Sequence, residues 1–266
     1  MQSKKYKAII FYVSQRIQFS EIIFIIAVNI LFIIISFKNF TFEGLISTAN
    51  MVEWIIWNLN DMNYIITVCS FSYLYLCYKI SLCTGQFHLL ILKFDSRTQW
   101  VYTVIFAFFS LAIIYILLLL FILIVFAIGK VQQGFWWSDI SIYLMNDIYK
   151  LKKYNSILVL LVRNICNIIL YYLTIGLSYY TLYLVLKNSK ISFSILLIRI
   201  FIDFGIIKSM IHSLYKYTYL GNIILNINQY NLNIGINYIF WGINILLNII
   251  IIHIITYKID FTLFKK

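Results

Sequence analysis

The sequence predicts an all-α, polytopic membrane helix bundle in which about six helices cross the bilayer. Of its 266 residues, 63% are hydrophobic and only 11% are charged, and the mean hydropathy is +0.91. A typical soluble domain has about 25% charged residues, so this composition excludes that class. Residues 101–129 also form a continuous apolar run, longer than the roughly 20 residues that cross a bilayer core. Together these observations predict a single transmembrane domain over residues 1–266.

Other apolar runs, separated by polar connections, predict the remaining helices. Residues 4–19 place apolar side chains on one helical face and polar ones on another, which predicts an amphipathic helix at the membrane interface. A secretory signal peptide is the alternative, but no small-residue cleavage site follows the run, so we expect a retained helix. The predicted membrane spans are residues 20–37, 62–83, 101–129, 156–186, 191–214 and 234–257.

The positions of the basic residues predict that both termini are cytoplasmic, because Lys and Arg collect on that side of a membrane. This orientation puts twelve of them in inner segments and six in outer loops, although the lysines at 150–153 argue against it. Residues 38–61 are expected as an outer loop, in which Glu53 and Asp61 are solvated and Trp54 and Trp57 rest on the headgroups. The net charge of +12 therefore indicates orientation and not nucleic-acid binding.

The polar segment before the third span has mixed character. Its sequence over 86–100, QFHLLILKFDSRTQW, places three charges beside apolar and aromatic residues. This composition predicts a helix at the cytoplasmic membrane face, with apolar surface for lipid or for a partner protein.

No pattern in the sequence predicts catalysis or metal binding. The three histidines are not spaced like paired ligands, and H-E-x-x-H, G-x-S-x-G, P-loop and G-x-G-x-x-G motifs are absent. We interpret His253 as a packed helix residue, with a metal or haem ligand as the alternative. The four cysteines lack a C-x-x-C spacing and are interpreted as packing residues. We therefore expect no cofactor, no metal and no enzymatic activity of the chain itself.

Charged and tyrosine residues inside the predicted spans are candidates for a polar substrate path. Arg199 and Asp203 lie four residues apart and can pair on one helix face, either as a structural ion pair or as a path lining. Arg163 either extends to the interface or faces the bundle interior. Tyr172 and Tyr179 have helical spacing and either line a wet cavity or reflect the high tyrosine content, 22 residues.

The sequence resembles the permease subunits of type-two ABC exporters, the small six-helix kind encoded beside a separate ATPase in bacterial bacteriocin and antimicrobial-peptide export or immunity systems. The resembling features are the amphipathic helix before the first span, the tryptophan-containing outer loop ending NLND, and the phrase ILKFDSRTQWVYTVIF before the third span. In such permeases a basic S-R-x-x-W-like phrase ends the cytoplasmic loop between the second and third helices. The chain departs from the family in its lack of Pro, its few glycines and the charges in its fifth span.

The resemblance implies a transport function and a set of partners. It implies that residues 86–100 are a cytoplasmic coupling helix seated in a cleft of an ATP-binding subunit. It also implies pairing with a second permease copy or a sister permease, contact with membrane lipid, a bacterial plasma-membrane location, and a peptide or lipid-like substrate. The residues of this segment expected to contact the ATPase are Phe87, His88, Lys93, Phe94, Asp95 and Arg97.

Two alternatives remain open from the sequence. Residues 86–100 could rest only on lipid, with their basic side chains at anionic headgroups. The whole chain could instead be a mitochondrially encoded structural or proton-pathway subunit of a protist respiratory complex, in the mitochondrial inner membrane. Subunits of that class share this chain's bias towards Ile, Phe, Tyr and Asn and its lack of Pro. However, the basic segment and the interface helix have no evident use in such a subunit.

Overall fold

A computed structural model describes residues 18–42, 50–61, 63–82, 97–131, 134, 156–209, 214, 217–223 and 234–258. The regular elements in this part of the chain are helices, which agrees with the predicted all-α class. The expected interface helix at 4–19 lies outside it, apart from its last two residues. The helices are α1 (Phe19–Phe42), α2 (Met51–Asn60), a π-helix (Tyr64–Ser70), α3 (Phe71–Leu82), α4 (Arg97–Ala127), α5 (Ile157–Leu186), α6 (Ser189–Lys208), a short 3-10 helix (Leu220–Asn222) and α7 (Ile234–Lys258).

Four of the described helices are long and apolar enough to cross a membrane. The most apolar is α4, with a mean hydropathy of 3.2. The side chains of Ile114, Leu117 and Phe121 on this helix are each at least 60% exposed. Because so much apolar surface is unfavourable in water, it requires a lipid or protein partner. The chain is therefore a membrane protein. The four segments are Phe19–Lys38, Val101–Ala127, Ile157–Leu186 and Asn237–Tyr257.

The second and fifth predicted spans contain elements of a different character. The predicted span 62–83 contains the π-helix and then α3, which has only 12 residues. In the fifth span, α6 ends at Lys208 and carries Arg199 and Asp203. A charge at the centre of a membrane helix costs about 2.5–3.5 kcal/mol on insertion scales. Length and composition therefore identify neither element as a span, and the count of six stays a prediction.

α1 runs antiparallel to the π-helix and α3. Glu21, in the first turn of α1, forms an ion pair with Lys79 near the end of α3, at 2.5 Å. Further along α1, the Asn29 carboxamide accepts a hydrogen bond from the Tyr64 hydroxyl at the start of the π-helix, at 3.1 Å.

α4 runs antiparallel to α5. The ring centroids of Phe108 and Tyr180 are 5.8 Å apart, and those of Tyr115 and Tyr172 are 5.2 Å apart, so residue numbers rise on one helix as they fall on the other. α5 and α6 are also antiparallel neighbours. Only Lys187 and Asn188 separate them; Lys187 ends α5 with a positive φ of 51°.

α5 runs parallel to α3 and to α7. The Ser70 hydroxyl, one residue before α3, contacts that of Tyr171. The next contact on α3 is between the rings of Tyr73 and Tyr172, at 4.7 Å. Along α7, Trp241 contacts Tyr171 and Asn248 contacts residues 178 and 181, so both helices again advance together. Successive long elements therefore alternate in direction through the bundle.

α2 differs from the outer loop that the sequence predicts over residues 38–61. Asn50 and Glu53 form a capping box, in which each side chain accepts a hydrogen bond from the other's backbone N–H at 3.0 Å. Trp54 is fully buried and packs edge-on against Phe37 at 5.5 Å. Glu53 is therefore used to begin a helix, and the tryptophan fills a space beside α1 instead of resting on headgroups.

Candidate functional site

The middle of the bundle is packed with tyrosine rings. Tyr172 of α5 is fully buried, and its ring centroid lies 4.7 Å from that of Tyr73, 5.2 Å from Tyr115 and 5.1 Å from Tyr171. Tyr171 in turn contacts the Trp241 ring of α7 at 6.2 Å. The structure thus places Tyr172 among aromatic rings from three helices.

Several of these buried hydroxyls have polar partners, as buried tyrosines normally require. Tyr115 donates a hydrogen bond to the backbone carbonyl of Cys69 at 2.9 Å. Tyr64 donates to the Asn29 carboxamide oxygen, which also accepts the Cys69 thiol at 3.6 Å. The Asn29 amide nitrogen donates to the carbonyl of residue 25, one turn earlier in α1. A polar network therefore joins α1, the π-helix and α4.

The π-helix connects this network to α5. The Ser70 hydroxyl donates to the Ile65 carbonyl at 2.7 Å, a bond made possible by the wider turn. Since Ser70 has only one hydroxyl proton, the 2.7 Å contact between its oxygen and the Tyr171 hydroxyl is donated by Tyr171. π-helical turns are rare and frequently occur at functional sites. This one lies against the aromatic core.

The predicted pair of Arg199 and Asp203 is present in the structure. The Arg199 Nε lies 3.5 Å from a carboxylate oxygen of Asp203. The other carboxylate oxygen accepts the backbone N–H of Tyr219 at 3.0 Å, and the Arg199 guanidinium lies 4.6 Å from the centre of the Tyr219 ring. Asp203 is buried and Arg199 is half exposed. The two residues therefore anchor the segment that follows α6, and their part in a substrate path stays a prediction.

The other candidate path residues lie apart from this pair. Tyr179 is fully buried near the α5–α6 turn, where its hydroxyl donates to the Ser189 carbonyl at 3.4 Å. Arg163 lies near the start of α5 and is half buried. The structure therefore distributes the five candidate residues along α5 and α6 and does not gather them at one point.

The predicted ATPase-contacting residues cannot be located in the same way. Phe87, His88, Lys93, Phe94 and Asp95 lie outside the described residues. Arg97 is the first residue of α4, and the position of its side chain is not described.

Sequence reasoning missed Asn164 and Asn167 of α5. Both are fully buried, and neither the nitrogen nor the oxygen of either carboxamide has a hydrogen-bond partner. Their signal was present in the sequence, because two asparagines three residues apart in an apolar run share one helix face. The high asparagine content of the whole chain obscured it.

Within the described ranges, no group of three or more His, Cys, Asp or Glu residues lies in an arrangement that could hold a metal ion. The sequence-based expectation that the chain needs no cofactor stays a prediction.

Comparison with protein-family models, with curated proteins and with solved structures finds no match.

Proposed function

We propose that this chain is the permease subunit of an ATP-driven exporter in the bacterial plasma membrane. It moves a peptide or lipid-like substrate with energy from a separate ATPase subunit. The observation that supports this most is the position of the two helix ends that flank residues 83–96. α3 ends at Leu82 and α4 begins at Arg97, and because these helices are antiparallel, both positions lie at the same end.

That end of the bundle is basic. Lys79 lies near the end of α3, and Lys187 and Lys190 lie at the α5–α6 turn, which reaches the same end because α5 is parallel to α3. Basic residues favour the cytoplasmic side of a membrane. The location suits a segment that meets a cytoplasmic ATPase.

The alternating helix directions support six spans with both termini cytoplasmic. In this arrangement the π-helix and α3 together form the second span, and α6 forms the fifth. The ion pair between Arg199 and the buried Asp203 lowers the cost of charges in α6, since paired charges are tolerated in membranes better than isolated ones.

The packed core supports a substrate path between two permease copies and not through one bundle. Tyr172 and Tyr179 are fully buried among side chains of their own chain, whereas Arg199 reaches the bundle surface. The chain supplies no ATPase chemistry in this proposal. Energy comes from the partner subunit through residues 86–100.

Co-expression with an ATPase subunit encoded beside this chain, which the proposal requires, tests the assignment. Replacement of an aromatic interface anchor commonly costs 2 kcal/mol or more, about thirtyfold in affinity, and a rim charge costs less. Phe87→Ala and Phe94→Ala should therefore reduce co-purification of the ATPase more than Lys93→Ala does. Each variant must reach the membrane at the normal level. Equal ATPase recovery with all three would mean that the segment only rests on lipid, and would remove the main support for the exporter.

Cysteine labelling tests the orientation separately. In a cysteine-depleted background, an impermeant thiol reagent added outside intact cells should label a cysteine at Ile128 after α4. It should not label one at Asn188 in the α5–α6 turn. Both positions are exposed in the structure, so the reverse pattern would show that the basic end faces outward.

A further inference from the structure

Arg199 is a charged side chain at the surface of the bundle whose position is fixed from two sides. Its Nε lies 3.5 Å from the buried carboxylate of Asp203, one turn further along α6. The face of its guanidinium lies against the Tyr219 ring, with 4.6 Å between their centres. Tyr219 is itself buried and packs against Trp241, with ring centroids 5.9 Å apart. The guanidinium is therefore held in place before any ligand arrives.

Most of the hydrogen-bonding capacity of this guanidinium is unused. An arginine side chain carries five N–H donors, and only the one on Nε lies beside Asp203. The four on the two Nη atoms have no hydrogen-bond partner among the residues that the structure describes. Because the Arg199 side chain is 46% exposed, an acceptor from outside the chain has room to reach these donors.

The surface around Arg199 is apolar. Ile195 and Ile202 lie one turn before and one turn after it on the same face of α6, and they are 41% and 54% exposed. Ile198, the preceding residue, is 57% exposed. A single cation thus lies in the middle of a surface that suits hydrocarbon chains.

This cation lies deep in the membrane in the six-span arrangement. Arg199 is ten residues beyond Ser189, the first residue of α6, which corresponds to about 15 Å from the α5–α6 turn. The hydrocarbon core is about 30 Å thick. The ring contacts agree, because Tyr219 packs on Trp241 and Trp241 packs on Tyr171, at the midpoint of the membrane helix α5.

The chemistry of the available groups matches an acidic amphiphile. A guanidinium binds a carboxylate or a phosphate at two points through parallel N–H donors, and the isoleucines on either side suit the attached chain. A resting membrane lipid keeps its head group at the interface, roughly 15 Å from this depth. An acidic head group at Arg199 therefore belongs to a molecule that is crossing the membrane.

We propose that Arg199 binds the acidic head group of a lipid-like substrate, a carboxylate or a phosphate, while the chain of the substrate lies along α6. This inference rests on the proposed export function and names the substrate class within it. Asp203 competes with the substrate for the same guanidinium, so the bound head group can be released.

Photolabelling of the purified full chain in phosphatidylcholine nanodiscs tests the proposal without an ATPase. The probe is an alkyl phosphate with a diazirine on its chain, and mass spectrometry locates the label. It should label residues 195–202 saturably, and an unlabelled alkyl carboxylate should compete. Inorganic phosphate should not compete, because it does not enter hydrocarbon. The diazirine-bearing alcohol of the same chain, which has no acidic group, should not label this surface saturably.

The deciding comparison is between two variants that both lack the buried carboxylate. Asp203→Asn should bind the probe at least as tightly as the native chain, because it removes the competing carboxylate while its amide oxygen can still accept the Tyr219 N–H. Adding Arg199→Gln to Asp203→Asn should weaken binding roughly tenfold or more, the usual effect of losing a charge-assisted hydrogen bond. Lys208→Gln is the matched control, since it removes an exposed cation from the end of the same helix. It should bind the probe with unchanged affinity.

Thermal unfolding confirms that each variant is folded before its labelling is compared. Equal probe affinity of Asp203→Asn and the double variant would overturn the proposal. Equal labelling by the phosphate and the alcohol, or no labelling of residues 195–202 in the folded native chain, would overturn it as well. ATPase co-purification should be normal in every variant, so failure at this site is distinguishable from failure of the exporter assignment.

Discussion

Gly176 of α5 and Phe108 of α4 approach so closely that a Cβ atom on the glycine would lie 2.7 Å from Cδ1 of the ring. The same atom would lie 2.9 Å from the hydroxyl of Tyr73 on α3. Since Phe108 and Tyr73 are both buried, neither ring can move into solvent. Glycine is therefore what allows α3, α4 and α5 to pack at their observed separation.

Gly176→Ala should destabilise the chain by about 1–3 kcal/mol, because the added methyl group overfills a packed core. The measurement is the midpoint of thermal unfolding of the purified chain. Gly242→Ala is the matched control, since a Cβ at that helical glycine meets nothing within 4 Å. It should be neutral or stabilising by up to about 1 kcal/mol. Equal effects of the two substitutions would contradict the close packing.

Tyr171→Phe should cost about 0.5–1.5 kcal/mol, because it removes the hydrogen bond that Tyr171 donates to Ser70. The ring and its contacts remain, and Ser70 keeps its own bond to Ile65. Tyr102→Phe, at a tyrosine that is 68% exposed, is the control and should change the unfolding midpoint little. No difference between the two variants would argue against the hydroxyl contact.

Asn50→Ala should destabilise α2 by about 0.5–2 kcal/mol, the usual effect of losing an N-cap side chain. Glu53→Gln should be nearly neutral, because glutamine also serves at the third position of a capping box. Hydrogen exchange of the amides of α2 measures this locally. Unchanged protection in Asn50→Ala would show that packing alone begins the helix.

Arg199→Gln should destabilise the chain by roughly 1–3 kcal/mol, because it leaves the buried Asp203 carboxylate without its cation. The double change Arg199→Gln with Asp203→Asn should recover part of that loss. The asparagine is neutral and its oxygen still accepts the Tyr219 N–H. A double-mutant cycle by thermal unfolding measures the coupling. Additive effects would mean that the pair contributes no interaction energy.

The long apolar helices are the part of this fold that the sequence predicts well. The spans expected at 101–129 and 156–186 lie within about four residues of α4 and α5, because a long apolar run has few other stable states in a membrane. The Arg199 and Asp203 pair follows from helical spacing alone. Its third partner, Tyr219, is 16 residues further along the chain, and no local pattern indicates it.

The remainder depends on contacts that a linear pattern does not contain. The sequence around Glu53 and Trp54 predicts a polar loop at the membrane interface. In the folded chain Glu53 belongs to the capping box of α2 and Trp54 is a core residue, and both roles depend on tertiary packing. The π-helix over Tyr64–Ser70 differs from an α-helix in its backbone hydrogen bonds, which join residues five apart, and the residue types give no signal for this difference. The unpartnered atoms of Asn164 and Asn167 can be recognised only after the burial of both side chains is known.

The bond between Ser70 and Ile65 also has a consequence for how the chain is made. Tyr171 is synthesised 101 residues after Ser70, so at about 5–20 residues per second the serine waits roughly 5–20 s for that partner. During this interval its hydroxyl can already bond to a carbonyl of its own segment. Ser70 is fully buried in the finished bundle, where a hydroxyl without a partner would be costly. The Ser70 hydroxyl therefore does not depend on α5, which is made later, for a hydrogen-bond acceptor.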